Sequence, residues 1–193
     1  MRNHRQFLIG APFAILLLAY CSGAAPRSGY SVAEYRAALE ATTLTPTVKP
    51  DSPEEQAAMD RFRMLYKDFT EDGLKKSARV VYADEAYFND TIKTVRGPEA
   101  IADYLSHGAA SAHRVEVEMQ DVARAGRDYY FRWIMSIQLK ADGDQIVSMG
   151  ISQVRFDRAG RVVLHQDFWD SAAGLFDHLP GTGFLLRFYR GRL

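Results

Sequence analysis

HRVEVEMQDVARAGRDYYFRWIMSIQLKADGDQIVSMGISQVRFDRAGRVVLHQDFWD, residues 113–170, is the stretch that decides the fold. Apolar and polar residues alternate along four runs, His113–Ala123, Asp128–Lys140, Gln145–Asp157 and Arg161–Asp170, and a period of two is the mark of strands with one buried face. Ala125-Gly126-Arg127, Asp142-Gly143-Asp144 and Arg158-Ala159-Gly160 join them, each a glycine-bearing turn of hairpin length. The runs therefore predict a four-stranded antiparallel meander.

Upstream the period changes to that of helices. Ser52-Pro53-Glu54-Glu55 is a start signal with proline at the first helical position, and Met59, Phe62, Leu65, Tyr66 and Phe69 follow at helical spacing. A second helix is predicted over Leu74–Tyr82, entered through Asp72-Gly73, and a third over Pro98–Gly108. Ala86–Thr91 reads as a short aromatic strand between them. Helices followed by a run of strands give the α+β class, with three helices packed on one face of a curved antiparallel sheet.

The flanks carry other information. Arg2 and Arg5 precede an apolar run, Phe7–Tyr20, too short for a comfortable membrane span, so residues 1–21 read as a signal peptide or lipoprotein signal. Cys21, the only cysteine, stands where that run ends and excludes an internal disulfide. Leu18-Ala19-Tyr20-Cys21 resembles a bacterial lipobox apart from Tyr20, which makes Cys21 a candidate lipidation site. The competing reading cuts after Ser22-Gly23-Ala24. An exported protein, periplasmic or tethered to a membrane through an acylated Cys21, is expected. Residues 22–53 are small, polar and proline-punctuated, a tether with one accessory helix begun by Ser31-Val32-Ala33-Glu34. A folded unit then spans 54–180, and 181–193 is a tail in which arginines interleave with aromatics.

With 193 residues and 47% hydrophobic composition the chain can bury one full core. The 24 basic and 24 acidic residues balance, and losing Arg2 and Arg5 leaves the bases two short, so nucleic acid is not an expected partner. The histidines show no metal-ligand spacing, and no phosphate-cradling loop or nucleophile elbow occurs; neither metal nor cofactor is expected. Alternation puts Val163, His165, Asp167 and Trp169 on one face of the last strand. An imidazole and a carboxylate so placed can hydrogen-bond and tune one another as an acid–base pair, or form a purely structural pair. Tyr129, Phe131, Trp133, Met135 and Ile137 share a face on the strand from Asp128, an apolar wall.

Five segments come in an order that carries a resemblance. They are Tyr82-Ala83-Asp84-Glu85-Ala86, Phe88-Asn89-Asp90, Arg96-Gly97-Pro98-Glu99-Ala100-Ile101, Val154-Arg155-Phe156-Asp157 with Gly160-Arg161-Val162-Val163, and His165-Gln166-Asp167-Phe168-Trp169-Asp170. Over Glu54–Asp170 the chain resembles the cone-shaped nuclear transport factor 2-like superfamily of SnoaL-like and ketosteroid isomerase-like domains. The resemblance implies a cone holding a small hydrophobic molecule, and commonly a homodimer through the outer sheet face. By comparison with ketosteroid isomerase it implies Asp90 as proton-transfer base and Tyr66 as a helix-borne donor to an enolate. In ketosteroid isomerase a second acid, kept protonated, completes the oxyanion hole. Here Ser152 holds that position, and Leu105 that of a further tyrosine. Tyr82, Phe131, Trp133, Met135, Ser152 and Trp169 are the implied ligand-binding residues, and His165 with Asp167 a second catalytic pair. Set against these, Asp90 can simply satisfy turn amides, and Tyr66 can be core. The functional expectation is an acid–base enzyme of isomerase, cyclase or hydratase type on a hydrophobic carbonyl compound, against a carrier, sensor or protein-interaction module.

Overall fold

The computed structural model describes residues 31–174; the expected signal segment, Cys21 and the 181–193 tail lie outside them. Helices α1 (Val32–Ala41), α2 (Pro53–Met64) and α3 (Glu71–Val81) each begin at a hydroxyl that accepts from a backbone N–H of the first turn, Ser31 from Glu34, Ser52 from Glu55 and Thr70 from Gly73. Strands β1 (Tyr82–Asn89) and β2 (Thr94–Arg96) follow, then α4 (Pro98–Ala110). β3 (Arg114–Ala125), β4 (Asp128–Gln138), β5 (Gln145–Phe156) and β6 (Val162–Trp169) make the meander, and α5 (Ser171–Gly174) closes the described chain.

The class is α+β, as expected, with helices on a curved, open sheet of six strands in the order β2-β1-β6-β5-β4-β3. β3 to β6 pair antiparallel in sequence. The sheet is mixed rather than antiparallel, because β1 lies parallel to β6. Alternation announces a strand but not its partner, and the meander leaves one edge of β6 free for the earliest strand. β1 also begins at Tyr82 rather than Ala86, and α3 stops one residue before it.

Phe62, Leu65, Leu74, Ala78 and Val81 of the helical layer meet Phe88, Phe131, Val154 and Phe156 of the sheet in one core. Burial of these side chains is the main term holding the cone together. The accessory helix α1 lies on the opposite, outer face, where Ala38 covers Tyr87 and Leu164. Its grip is mostly polar: Tyr35 donates to Gln153 Oε1 at 2.5 Å, and Arg155, paired with Asp128 at 2.6 Å, donates to the Leu39 carbonyl at 2.8 Å. Arg127 clasps the carbonyls of Thr42, Thr43 and Thr45. Carbonyls at a helix C-terminus have no intrahelical donor and carry partial negative charge, which is why two arginines gather there. Within the segment 22–53 the described part thus touches the cone at α1 and at Val48, which sits in the main core at 2% exposure.

Candidate active site

One continuous cavity of about 100 Å³ opens inside the cone, and both Asp90 and Asp167 line it. Tyr66 and Phe69 close it from the segment after α2, Phe88 and Leu105 from β1 and α4, and Val117, Trp133, Met135 and Trp169 from the sheet. Trp133, Gly150 and Trp169 are cross-strand neighbours in one row. A Cβ on Gly150 would fall 2.3 Å from the Trp133 ring, so only glycine lets that indole lie across β5. The two indoles then tilt together, centroids 6.3 Å apart.

Behind the cavity wall runs a chain of hydrogen bonds that ends on Asp167. Its Oδ1 accepts from the Ser152 hydroxyl at 2.5 Å and meets His165 Nε2 at 2.8 Å. Ser152 in turn accepts from Trp133 Nε1 at 3.0 Å. An ionised carboxylate can only accept, so Nε2 carries a proton; in the neutral ring Nδ1 is then the acceptor for the Tyr82 hydroxyl, 2.7 Å away. Burial, then the charge of Asp167, push the Tyr82 phenol well above its ordinary value, so it keeps the proton it donates. Phe62 and Phe88 stand edge-to-face with the imidazole, and the Tyr82 ring lies nearly parallel to it. His165 is fully enclosed, its orientation and tautomer set by its neighbours. Asp167 Oδ2 has no partner among the described residues, although the residue is only 9% exposed and faces the cavity.

Asp90 is built differently. It follows β1 in a turn where Oδ1 accepts from the amides of Ile92 and Lys93 at 3.0 and 2.9 Å, and Oδ2 accepts from the Tyr104 hydroxyl at 2.7 Å. The Asp90 carbonyl takes Trp169 Nε1 at 2.7 Å. Thr91 sits at φ 75°, a left-handed conformation that a β-branched residue resists, held there in part by Asn89 Oδ1 on its amide at 2.8 Å. Burial raises the Asp90 carboxyl above the usual range, and the charge of Asp167 adds to the rise; the Tyr104 and amide hydrogen bonds oppose it.

Of the residues expected in the site, Tyr66, Asp90, Trp133, Met135, Asp167 and Trp169 line the cavity. Tyr82, His165 and Ser152 do not; they stand behind Asp167 and orient it. Phe131 is also not a wall residue, because its ring packs 4.6 Å from Phe62 in the helix-facing core. Tyr66 lies past the end of α2 rather than on it, in the turn that follows. Its hydroxyl is 3.5 Å from His165 Nε2, and burial, then the Asp167 charge, raise its phenol well above the ordinary value. The turn-amide reading of Asp90 holds for Oδ1, while Oδ2 meets Tyr104, a residue that the sequence pattern does not single out beside its neighbour Leu105. Tyr104 stands fourteen residues from Asp90, with an intervening turn and strand whose geometry no periodicity reveals. Among the described residues no group of three or more His, Cys, Asp or Glu side chains is placed to hold a metal ion.

The cone has many solved counterparts. A Jannaschia protein assigned as a SnoaL-like polyketide cyclase superposes with a TM-score of 0.55 at 15% identity, over 65% of this chain and 96% of its own. An epoxide hydrolase of M. tuberculosis, of the LEH-like kind, gives 0.53 at 15% over 70% and 98%. A Catenulispora acidiphila protein with a ketosteroid isomerase-like fold, in complex with trimethylamine, gives 0.52 at 17% over 64% and 91%. At such identities these similarities speak for the fold alone. No curated protein matches the sequence significantly. The SnoaL-like domain model matches residues 62–165, more than half of the chain, from the core ring Phe62 to the enclosed imidazole of His165. The chain belongs to the SnoaL-like domain family.

Proposed function

We propose that this small-ligand-binding cone is an acid–base enzyme that moves a proton on a compact carbonyl compound, with Asp167 as the base. The observation that carries the reading is the asymmetry of the Asp167 carboxylate: one oxygen saturated by Ser152 and His165, the other bare and facing the cavity. A base so held is oriented without being consumed by its own hydrogen bonds. Oδ2 takes the proton from a carbon next to the carbonyl, the C–H electron pair moves into the enolate, and the resulting carboxylic acid returns the proton to the same or a conjugated carbon. Tyr66, which keeps its phenolic proton, donates to the enolate oxygen. His165 and Ser152 are positioning residues. The base role moves from Asp90 to Asp167, because each oxygen of Asp90 already holds a donor.

Size restricts the substrate. About 100 Å³ is less than the roughly 150 Å³ of an apolar cavity that accepts benzene, and far below the range of about 300–1,000 Å³ for drug-sized ligands. A molecule of about five heavy atoms fills the cavity, and a steroid or polyketide would extend beyond it. The reading includes export through residues 1–21, supported by their basic start and apolar run. The test is deuterium exchange into small ketones followed by NMR in D₂O. Catalysed exchange that falls by about a hundredfold or more in Asp167→Asn supports the reading. Exchange undiminished in Asp167→Asn ends it.

A further inference from the structure

We infer that the compact ligand of this cavity is a cation, an alkylammonium group or a small molecule that carries one. The inference deepens the proposed function and rests on its premise that the cavity is the ligand site. Two carboxylates, Asp90 and Asp167, line one half-open cavity of about 100 Å³, and no lysine or arginine lines it. The nearby Lys93 is exposed and has its ammonium over the Tyr104 ring, 5.4 Å from the centroid, so it does not enter the cavity to neutralise them. His165 hydrogen-bonds Asp167 Oδ1 through Nε2 and lies behind the wall.

Two like charges in a low-dielectric hollow repel each other, and each oxygen without a donor keeps a desolvation cost. Asp167 Oδ2 is such an oxygen, on a side chain only 13% exposed and without a partner among the described residues. A bound cation relieves both terms at once. The rest of the wall suits the same guest: Trp133, Trp169 and Phe88 are aromatic residues of its lining, and a methylated ammonium is held by aromatic rings while needing few hydrogen bonds. A neutral apolar molecule would fill the space but leave the two carboxylates that line it unrelieved.

The charge also serves the proton transfer. An ammonium held beside Asp90, near the carbon from which Asp167 takes a proton, stabilises the negative charge that develops on the enolate. This divides the labour between two carboxylates whose surroundings differ: Asp90, tied by two amides and Tyr104, is the fixed counter-charge, and Asp167, with its bare oxygen, does the chemistry.

The full chain, titrated with tetramethylammonium chloride and with tert-butanol, its neutral counterpart of equal heavy-atom count, gives the test. The sequence has two tryptophans, and both indole N–H groups bond at the cavity, to Ser152 and to the Asp90 carbonyl, so their ¹⁵N-edited signals report occupancy. The expected result is saturable movement of both signals by the ammonium at an affinity at least about tenfold above that of the alcohol. The isosteric variants Asp90→Asn and Asp167→Asn should each reduce this preference, and either suffices if the other fails to fold. Equal or tighter binding of the alcohol overturns the inference and leaves proton transfer standing, because ketone exchange lost in Asp167→Asn is an independent result. Binding of neither compound overturns the inference as well. If ketone exchange is also undiminished in Asp167→Asn, the proposed function fails with it.

Discussion

Replacing Gly150 with alanine tests how the cavity is made. The added Cβ would lie 2.3, 2.5 and 2.9 Å from three atoms of the Trp133 indole, whereas ordinary contact begins near 3.4 Å, so the ring must retreat by about 1 Å. That retreat stretches the 3.0 Å bond from Trp133 Nε1 to Ser152, which is itself a donor to Asp167. Overpacking costs about 1–3 kcal/mol and a weakened buried hydrogen bond about 1 more, so the variant should lose about 2–4 kcal/mol. For a domain of this size the melting temperature should fall by roughly 5–15 °C. Differential scanning calorimetry measures the loss, and the Trp133 indole resonance reports the displaced ring. An unchanged melting temperature with an unmoved indole signal would refute this reasoning, because Trp133 would then not cross over β5 at Gly150.

Thr91→Gly should raise stability by about 1 kcal/mol in chemical denaturation, since relief of a strained left-handed β-branched residue exceeds the backbone entropy that glycine adds; a loss would mean the turn does not hold φ at 75°. The raised carboxyl of Asp90 makes a prediction with a definite sign. The folded state holds this proton more tightly than the unfolded chain, so the Asp90 contribution is fully present below the unfolded value of about 3.9 and is lost as pH rises through the elevated folded value. Asp90→Asn should remove that decline from a plot of stability against pH, and Tyr104→Phe, which deletes a bond favouring the anion, should move it to higher pH. Arg155→Ala breaks a half-enclosed ion pair and the hold on the Leu39 carbonyl, costing about 3 kcal/mol, and hydrogen exchange should show the amides of α1 opening first.

The strands from Arg114 to Trp169 are legible in the sequence because a solvent-facing and a buried face alternate along each, and the glycine turns between them fix the meander. The parallel β1–β6 pair is not, because a contact between Phe88 and His165 depends on the closing of the whole sheet rather than on local pattern. Asp90, Tyr66, His165 and Asp167 emerge as a set from segment order, yet their roles do not. Whether a carboxylate is a base or a counter-charge depends on which of its oxygens is free, and that is decided by Ser152, Tyr104 and Tyr82, hydroxyls far away along the chain. The capping box of helix α1 announces the helix but not its seat on the sheet. Its grip runs through arginine-to-carbonyl bonds that leave no hydrophobic period behind.

Whether Asp167 can act as a base turns on the direction of protons along Tyr82, His165 and Asp167. Nitrogen-15 chemical shifts of His165 at neutral pH read that direction in a single spectrum. The structure predicts a neutral imidazole with a bare Nδ1 that accepts from Tyr82 and a protonated Nε2 that donates to an ionised Asp167. A protonated Nδ1 with a bare Nε2 would mean that Asp167 holds the proton itself, and a carboxylic acid in that position cannot abstract one from a substrate.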